Sequence, residues 1–375
     1  MVNDMPNQWV DNIVANNVNS VYSLTPFWKT CYGFLKDINW SNTQILINCD
    51  AVPTHLKQTT KKVVFTSYGE SPRYPELMLL ANSYPEVNFI WLADLEVYDY
   101  PLPFNVTFVQ YRHWYIWLEY FHDCILLEQI PKVKNKVIDY RFSSLSFKGR
   151  QWRALMTAAL HTYSKAESFI TWHNADSVDL DIHYIETVRN DSRFSSLDWD
   201  FLRSIIVFDE WDIEKTPMQC ILNYKNPAYE QSAININNET DGNSWHCTPQ
   251  GSYTRPGPYL TEKTWKPLIT GTVLLNSGQA STYKFLEQQY HLPCSKYNLH
   301  MDYDCIINDD FGRFAKLVEE IKRLSLMPLK ELVDANIDAC QSIQDLVLDP
   351  DYVNSLKQFN KTQDYLVSNF LQKDI

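Results

Sequence analysis

The amino-acid sequence predicts an α/β protein with two domains. The chain has 375 residues, which is longer than a single hydrophobic core usually accommodates. In the first third, short β-branched and aromatic runs alternate with helical or loop segments, a pattern that favours a parallel sheet with crossover connections. A second alternation of the same kind starts near Lys136. With 45% hydrophobic and 14% aromatic residues, the chain is expected to be globular.

The first alternation has four predicted strands and one clear helix. The strands are expected at residues 44–48, 62–66, 87–92 and 106–109, and the helix at 71–83. Polar residues follow several of these strands, among them Glu70, Asp94 and His113. Ligands of open α/β sheets bind beyond the carboxyl ends of the strands, so these three side chains are candidates for substrate contact.

The second alternation opens with a strand at 137–146 and an arginine-containing turn at 147–153. A helix at 154–160 and strands at 169–172 and 232–236 follow. Cations are disfavoured at the start of a helix unless an anion lies there, so Arg150 or Arg153 is a candidate anion ligand. The simpler interpretation is that both arginines are ordinary charges at the helix start and bind no ligand. Glu239, after the last of these strands, is either a site residue or a solvent-exposed loop acid.

The most informative segment is residues 259–267, which is expected to open a short helix. Thr261 is a suitable N-cap and Gly271 lies where the helix should end. Lys263 and Lys266 are three residues apart, so both ammonium groups can project from one face near the helix start. A diphosphate shared between these lysines and free backbone N–H groups would account for them. Glu262 could accept hydrogen bonds from a sugar diol, although an ordinary solvated, capped helix has the same spacing.

The remaining third is mostly helical. A strand is expected at 271–275, and helices at 281–289, 312–325, 328–345 and 351–372. Two Asp-x-Asp sequences, at 179–181 and 302–304, are compatible with a divalent cation on a diphosphate, because hard cations prefer carboxylate oxygens. The lysines make such a metal less necessary, and we expect none. The histidines show no zinc-like pairing.

Composition and simple motifs restrict the expected cellular location and the expected ligands of the protein. The eight cysteines show no regular pairing, no signal-like N-terminal segment is visible, and no apolar run is long enough to span a bilayer. We therefore expect a cytoplasmic protein without a membrane partner. G-x-G-x-x-G and Walker A patterns are missing. The net charge of -12 means that DNA could be bound only through clustered cations, such as those at 132–136 and 148–153.

The residues of the 259–267 segment carry a resemblance to a known family. Tyr259-x-Thr261-Glu262-Lys263, a short helix, Gly271 and an apolar strand resemble the donor-binding motif of the α1,3-fucosyltransferases. The fuller form, Thr-Glu-Lys-Thr-Trp-Lys-Pro, is similar to a group of glycosyltransferase-like proteins of bacteriophages and other large DNA viruses. The match is close over roughly twenty residues and diffuse over the C-terminal half. Pro267 departs from the fucosyltransferase pattern and should kink or shorten the helix.

The resemblance implies a GT-B-like α/β fold, with two doubly wound Rossmann-like domains facing a cleft and with C-terminal helices. The acceptor-side domain would cover residues 1–135 and the nucleotide-sugar domain 136–345, with a helix at 346–375 packing back toward the N-terminal domain. In the fucosyltransferases the matching Tyr, Glu and Lys hold the base, ribose and phosphates of the donor, which implies these roles for Tyr259, Glu262 and Lys263. It also implies a phosphate contact for Arg150 or Arg153 and a cleft position for Glu239.

The function expected from this resemblance is transfer of a sugar from a UDP- or GDP-sugar to a hydroxyl acceptor. The viral relatives favour a hydroxymethylated pyrimidine in phage DNA as the acceptor, and a glycan or small molecule is the alternative. Inversion would need a base, and Asp94, Glu70 and His113 are the candidates, whereas a retaining mechanism would need none. A catalytically silent nucleotide-sugar-binding protein and a structural role remain as alternatives of other classes.

Overall fold

The computed structural model describes most of the chain after residue 38. The described residues are 39, 41–47, 55–66, 74–93, 102–112, 115–124, 129–146, 150–172, 182–203, 226–238, 245–248, 251–254, 258, 260–307 and 309–372. The chain divides into two compact units. Unit 1 comprises Met1–Ile116, His246–Gly257 and Asn354–Ile375, and unit 2 comprises Trp117–Trp245 and Pro258–Val353.

Unit 1 contains a four-stranded sheet within the described residues. Its strands are β1 (Thr43–Ile47), β2 (Lys62–Thr66), β3 (Asn88–Ala93) and β4 (Val106–Gln110), all parallel and in the order β1-β2-β3-β4. Helix α1 (Tyr74–Ser83) connects β2 and β3. Strands buried on both faces read as continuous apolar runs, and the buried run 63–65 in β2 fits this rule.

Unit 2 contains a second parallel sheet with a different order. Its strands are β5 (Tyr140–Ser146), β6 (Ser168–Trp172), β7 (Ser232–Asn237) and β10 (Val273–Asn276), in the order β10-β7-β5-β6. The chain therefore runs from β5 to β6 on one side of it and then crosses to β7 on the other side of β5. This reversal makes the pair β5–β7 a topological switch point. A separate two-stranded sheet pairs β8 (Trp245–Thr248) with β9 (Gly251–Thr254).

Helices fill the connections of unit 2. They are α2 (Tyr115–Cys124), which begins in unit 1, α3 (Gln151–Ser164), α4 (Ile182–Asn190), α5 (Pro227–Glu230), α6 (Glu262–Thr270) and α7 (Thr282–Tyr290). After them come α8 (Asp310–Leu326), α9 (Leu329–Asp334), α10 (Ile337–Val347) and α11 (Pro350–Gln372). None of the helices in the described part of the chain has the length and apolar character needed to cross a membrane.

The end of α11 belongs to unit 1. The buried Lys62 ammonium at the start of β2 donates a hydrogen bond to the Leu371 carbonyl (2.7 Å). Asn360 pairs with the backbone of Arg112 in both directions, at 3.0 and 2.8 Å, just after β4. The guanidinium of Arg112 also lies over the ring of Phe359, 4.2 Å from its centroid. The second half of the helix is therefore hydrogen-bonded into the first sheet.

The predicted α/β class is confirmed, and both sheets are parallel. The predicted single helix at 328–345 is instead two helices that meet at Asn336. The side chain of Asn336 donates to the Leu332 carbonyl (2.9 Å) and accepts from the Asn298 amide (2.8 Å). An asparagine that bonds local backbone in this way competes with helical hydrogen bonding and interrupts the helix.

Candidate functional site

The candidate site lies at the carboxyl edge of the unit 2 sheet, at the switch point. Asn238 follows β7 and spans the gap to β5, because its amide donates to Ser144 Oγ (2.7 Å) and Ser146 Oγ (3.0 Å). Its carbonyl accepts from Ser277 Oγ (3.0 Å), which follows β10. The ends of three neighbouring strands are thus joined by one buried side chain. Such a network fixes the shape of this edge, since every polar group in it has a partner.

Helix α6 is built as its sequence predicts. Thr261 is extended (φ -119°, ψ -170°), and its hydroxyl accepts the amide of Lys263 at 3.2 Å. The amide of Thr264 reaches the Thr261 carbonyl at 3.1 Å. Gly271 ends the helix in the left-handed region (φ 65°), where glycine has no steric penalty. Because the Lys263 amide already donates to Thr261, a ligand at this end would interact with the helix dipole and with the Lys263 side chain instead of that amide.

The first turn of α6 is fixed to the end of β7. The side-chain amide of Asn237, the last residue of β7, donates to Thr264 Oγ1 at 2.9 Å, and both residues are buried. The Thr-Glu-Lys turn therefore lies beside the switch point. The sequence alone predicts the helix, but not this location.

The two lysines of α6 have different surroundings. Lys263 is half-buried, and every residue from 264 to 270 is buried. Lys266 is only 1% exposed, and its ammonium lies 5.6 Å from the centroid of the Tyr229 ring. Lys266 is therefore buried and Lys263 is not, a difference that the spacing of the two lysines does not predict. A phosphate contact by Lys266 stays a prediction.

Helix α3 starts after β5, the other strand of the switch point. Arg150 is its N-cap residue, is exposed and makes no capping hydrogen bond, whereas Arg153 in the first turn is buried. Trp152 between them stacks on Phe314 of α8, with ring centroids 4.1 Å apart. The two candidate arginines therefore occupy the expected helix start, one facing solvent and one packed inside.

The second Asp-x-Asp sequence has its two carboxylates in separate surroundings. Asp302 pairs with Lys316 at the surface. Asp304 is buried and accepts from the side-chain amide of Asn276 (2.8 Å) and from the amide of Tyr283 (3.0 Å). Burial raises the pKa of the Asp304 carboxyl to about 6. Among the described residues, no cluster of three or more His, Cys, Asp or Glu side chains could hold a metal ion.

The cationic cluster at 132–136 is partly occupied by internal contacts. Lys132 pairs with Asp345 at 2.7 Å. Lys136 donates to the Tyr229 carbonyl (2.9 Å) and to Thr272 Oγ1 (2.7 Å), and burial lowers the pKa of its ammonium to about 8. Two of the three lysines in this cluster thus have structural partners.

Several predicted site residues lie outside the described part of the chain. They are Glu70, Asp94, His113, Glu239, Tyr259 and both aspartates of the 179–181 sequence. Glu262 is the first residue of α6, but its side chain is not described. The roles given to these residues stay predictions.

The sequence interpretation missed the asparagines at the end of β7. Asn235 and Asn237 lie in a strand that is buried throughout, and Asn238, which follows it, is buried as well. Buried parallel strands are normally apolar, so asparagine at alternate positions was a usable signal of a polar function at the carboxyl edge.

Comparison of the chain with protein-family models, with curated proteins and with solved structures finds no match.

Proposed function

We propose that the protein is a glycosyltransferase that takes its sugar from a UDP- or GDP-sugar and is of the GT-B type. The position of the first turn of α6 carries the proposal. The hydrogen bond from Asn237 to Thr264 fixes that turn at the carboxyl end of β7, next to the switch point. Open α/β sheets bind nucleotides at such a point, and a helix N-terminus favours a phosphate there.

The charges at this edge support a diphosphate ligand. Lys263 lies in the first turn of α6, where a cation is unfavourable beside the positive end of the helix dipole unless an anion is bound. Arg150 projects from the start of α3, at the end of the strand next to β7. The proposed diphosphate lies between these two helix starts and is contacted by Lys263 and by Arg150 or Arg153.

The same groups would assist departure of the nucleoside diphosphate. Negative charge grows on the leaving oxygen during transfer, and a positioned ammonium and helix dipole stabilise it without having to reorganise. In this scheme Glu262 holds the ribose and Tyr259 lies near the base, as the motif implies. An inverting reaction would also need a base, for which Asp94, Glu70 and His113 are the candidates.

The proposed acceptor is a hydroxyl group, with the hydroxymethylated pyrimidine of phage DNA as the first to test. Lys132 and Lys136 have internal partners, so that cluster contributes little to DNA binding. In the 148–153 cluster Arg150 is exposed and stays a candidate for DNA contact, whereas Arg153 is buried. Binding of DNA through such a cation should weaken as salt rises.

The test is incubation of the protein with a panel of UDP- and GDP-sugars and an acceptor. The acceptors are DNA containing hydroxymethylcytosine, unmodified DNA and free sugars. Release of nucleoside diphosphate and the mass of the acceptor are measured. Lys263→Ala should lower turnover on the order of a hundredfold, the size typical of a lost electrostatic stabiliser, and Glu262→Ala should lower it through weaker binding of the ribose. Lys361→Ala removes an exposed helix lysine of unit 1 and serves as the control.

The outcomes separate the alternatives. Turnover by Lys263→Ala equal to that of Lys361→Ala would overturn the site assignment. Binding of nucleotide-sugars by the wild type without release of diphosphate would identify a catalytically silent binding protein. Transfer to free sugars but not to DNA would assign a small-molecule or glycan acceptor.

A further inference from the structure

One of the two polar atoms in the side-chain amide of Asn237 makes a hydrogen bond, and the other makes none among the described residues. Its Nδ2 donates to Thr264 Oγ1, whereas its carbonyl oxygen is buried and has no hydrogen-bond partner among the residues that the structure describes. The residue is 1% exposed. A buried acceptor without a partner is unfavourable, and a ligand that donates to it would remove that penalty.

The neighbouring residue shows the contrast. Asn238 is equally buried, but it uses both ends of its amide, with Ser144 and Ser146 as acceptors and Ser277 as donor. The network at the strand ends is therefore complete at Asn238. A vacant hydrogen-bonding position is left at the carbonyl oxygen of Asn237, the residue whose Nδ2 contacts Thr264 of α6.

The location restricts what the Asn237 carbonyl can accept. Its amide group lies against Thr264, in the first turn of a nine-residue helix and beside the switch point. A carbonyl oxygen repels phosphate oxygens and binds O–H or N–H donors. The nearest donors of a ligand whose diphosphate lies at this helix start are the hydroxyl groups of the sugars attached to that diphosphate.

We propose that the side-chain carbonyl of Asn237 accepts a hydrogen bond from a hydroxyl of a sugar linked to the bound diphosphate. This assignment rests on the proposed function and makes Asn237 a residue that determines specificity. It separates sugar-bearing diphosphates from inorganic pyrophosphate. The hydroxyl belongs either to the ribose or to the transferred sugar, and the ligands in the experiment distinguish these sources.

The experiment compares Asn237→Leu with Asn235→Leu by isothermal calorimetry. Asn235 lies two residues earlier on the same face of β7, is also buried, and donates to Ser143 Oγ (2.9 Å) rather than to α6. The ligands are inorganic pyrophosphate, UDP and GDP, their 2′-deoxy and 3′-deoxy forms, and UDP-glucose and GDP-mannose. Each variant loses one buried amide, so general effects on the strand are matched.

Asn237→Leu also removes the hydrogen bond to Thr264 Oγ1, so its affinity for pyrophosphate relative to that of Asn235→Leu measures any shift of the first turn of α6. Beyond that shift, Asn237→Leu should bind the sugar-bearing ligands about tenfold more weakly, as expected for one hydrogen bond. A loss already present with UDP or GDP assigns the ribose, and a loss confined to the nucleotide-sugars assigns the transferred sugar. An equal loss for pyrophosphate and nucleotides, or no loss, overturns the role of Asn237 while leaving the diphosphate site standing.

Two further outcomes complete the test. If the wild type binds none of these ligands, the proposed function fails and this assignment fails with it. If Asn237→Leu does not fold, the smaller variants Asn237→Ala and Asn235→Ala are compared in the same way. Equal affinity for the ribose and deoxyribose forms, without any gain from the sugar of UDP-glucose or GDP-mannose, overturns the proposal.

Discussion

Replacement of Gly271 by alanine should strongly destabilise unit 2. The residue ends α6 with φ 65°, a conformation unfavourable by about 1–2 kcal/mol for a residue with a Cβ atom. An added Cβ would lie 2.2 Å from Val133 Cγ2 and 3.3 Å from Gln344 Nε2. Gln344 cannot move freely, because that nitrogen donates to the carbonyls of Pro131 and Ile269 at 3.0 Å each. Relieving such an overlap typically requires about 1–3 kcal/mol. The expected loss is therefore about 3 kcal/mol.

A double-mutant cycle separates the two contributions. Val133→Ala removes the methyl group that the new Cβ would meet, so it should relieve the overlap but not the backbone strain. In that background, Gly271→Ala should lower the free energy of unfolding by only about 1 kcal/mol. The measurements are urea denaturation followed by circular dichroism, and hydrogen exchange of the peptide that covers α6. An equal effect of Gly271→Ala in both backgrounds, or a total loss below about 0.5 kcal/mol, would refute the packing argument.

Three further predictions concern single side chains. Thr261→Ala removes the acceptor of the Lys263 amide, so urea denaturation should show about 1 kcal/mol less stability, and Thr261→Ser should restore most of it. Asp304 has a pKa near 6 in the folded protein against 3.8 for the ordinary side chain, so its contribution is fully present below pH 3.8 and is lost as the pH rises through 6. The unfolding free energy of the wild type relative to Asp304→Asn should therefore fall by about 3 kcal/mol between pH 4 and pH 7, and a flat difference would contradict this. Lys132→Ala breaks an exposed pair with Asp345 and should change stability by less than about 1 kcal/mol in urea, whereas a larger loss would show that the pair is not simply a surface contact.

Local patterns were sufficient to predict most of the fold. The apolar run at 62–66 coincides with β2, because a strand buried on both faces needs such a run. Thr261 and Gly271 mark the two ends of α6, because capping chemistry depends only on the residues at the helix termini. Features that depend on residues adjacent in the sequence, such as buried strands and helix caps, can be predicted from the sequence.

Features set by distant residues were not predictable. Lys266 was expected to share one helix face with Lys263, and the spacing could not show that Lys266 is almost fully buried with its ammonium near the Tyr229 ring. Asp302 and Asp304 differ by two positions, but one faces solvent and the other is buried beside Asn276. Burial depends on which elements pack together, and a short sequence motif does not contain that information.

The hydrogen bond from Lys62 to Leu371 bears on how the protein is made. Unit 1 includes residues from both sides of unit 2 in the chain, and the first sheet is bonded to residues near the end of α11. All of unit 2 is synthesised before those residues, so unit 2 can fold during synthesis. The first sheet, although synthesised earlier, still lacks its hydrogen bonds to the end of α11 at that stage. In the interval, the buried ammonium at the start of β2 lacks this acceptor. A chain truncated after Val353 should thus keep a protease-resistant unit 2 and have a protease-sensitive N-terminal sheet.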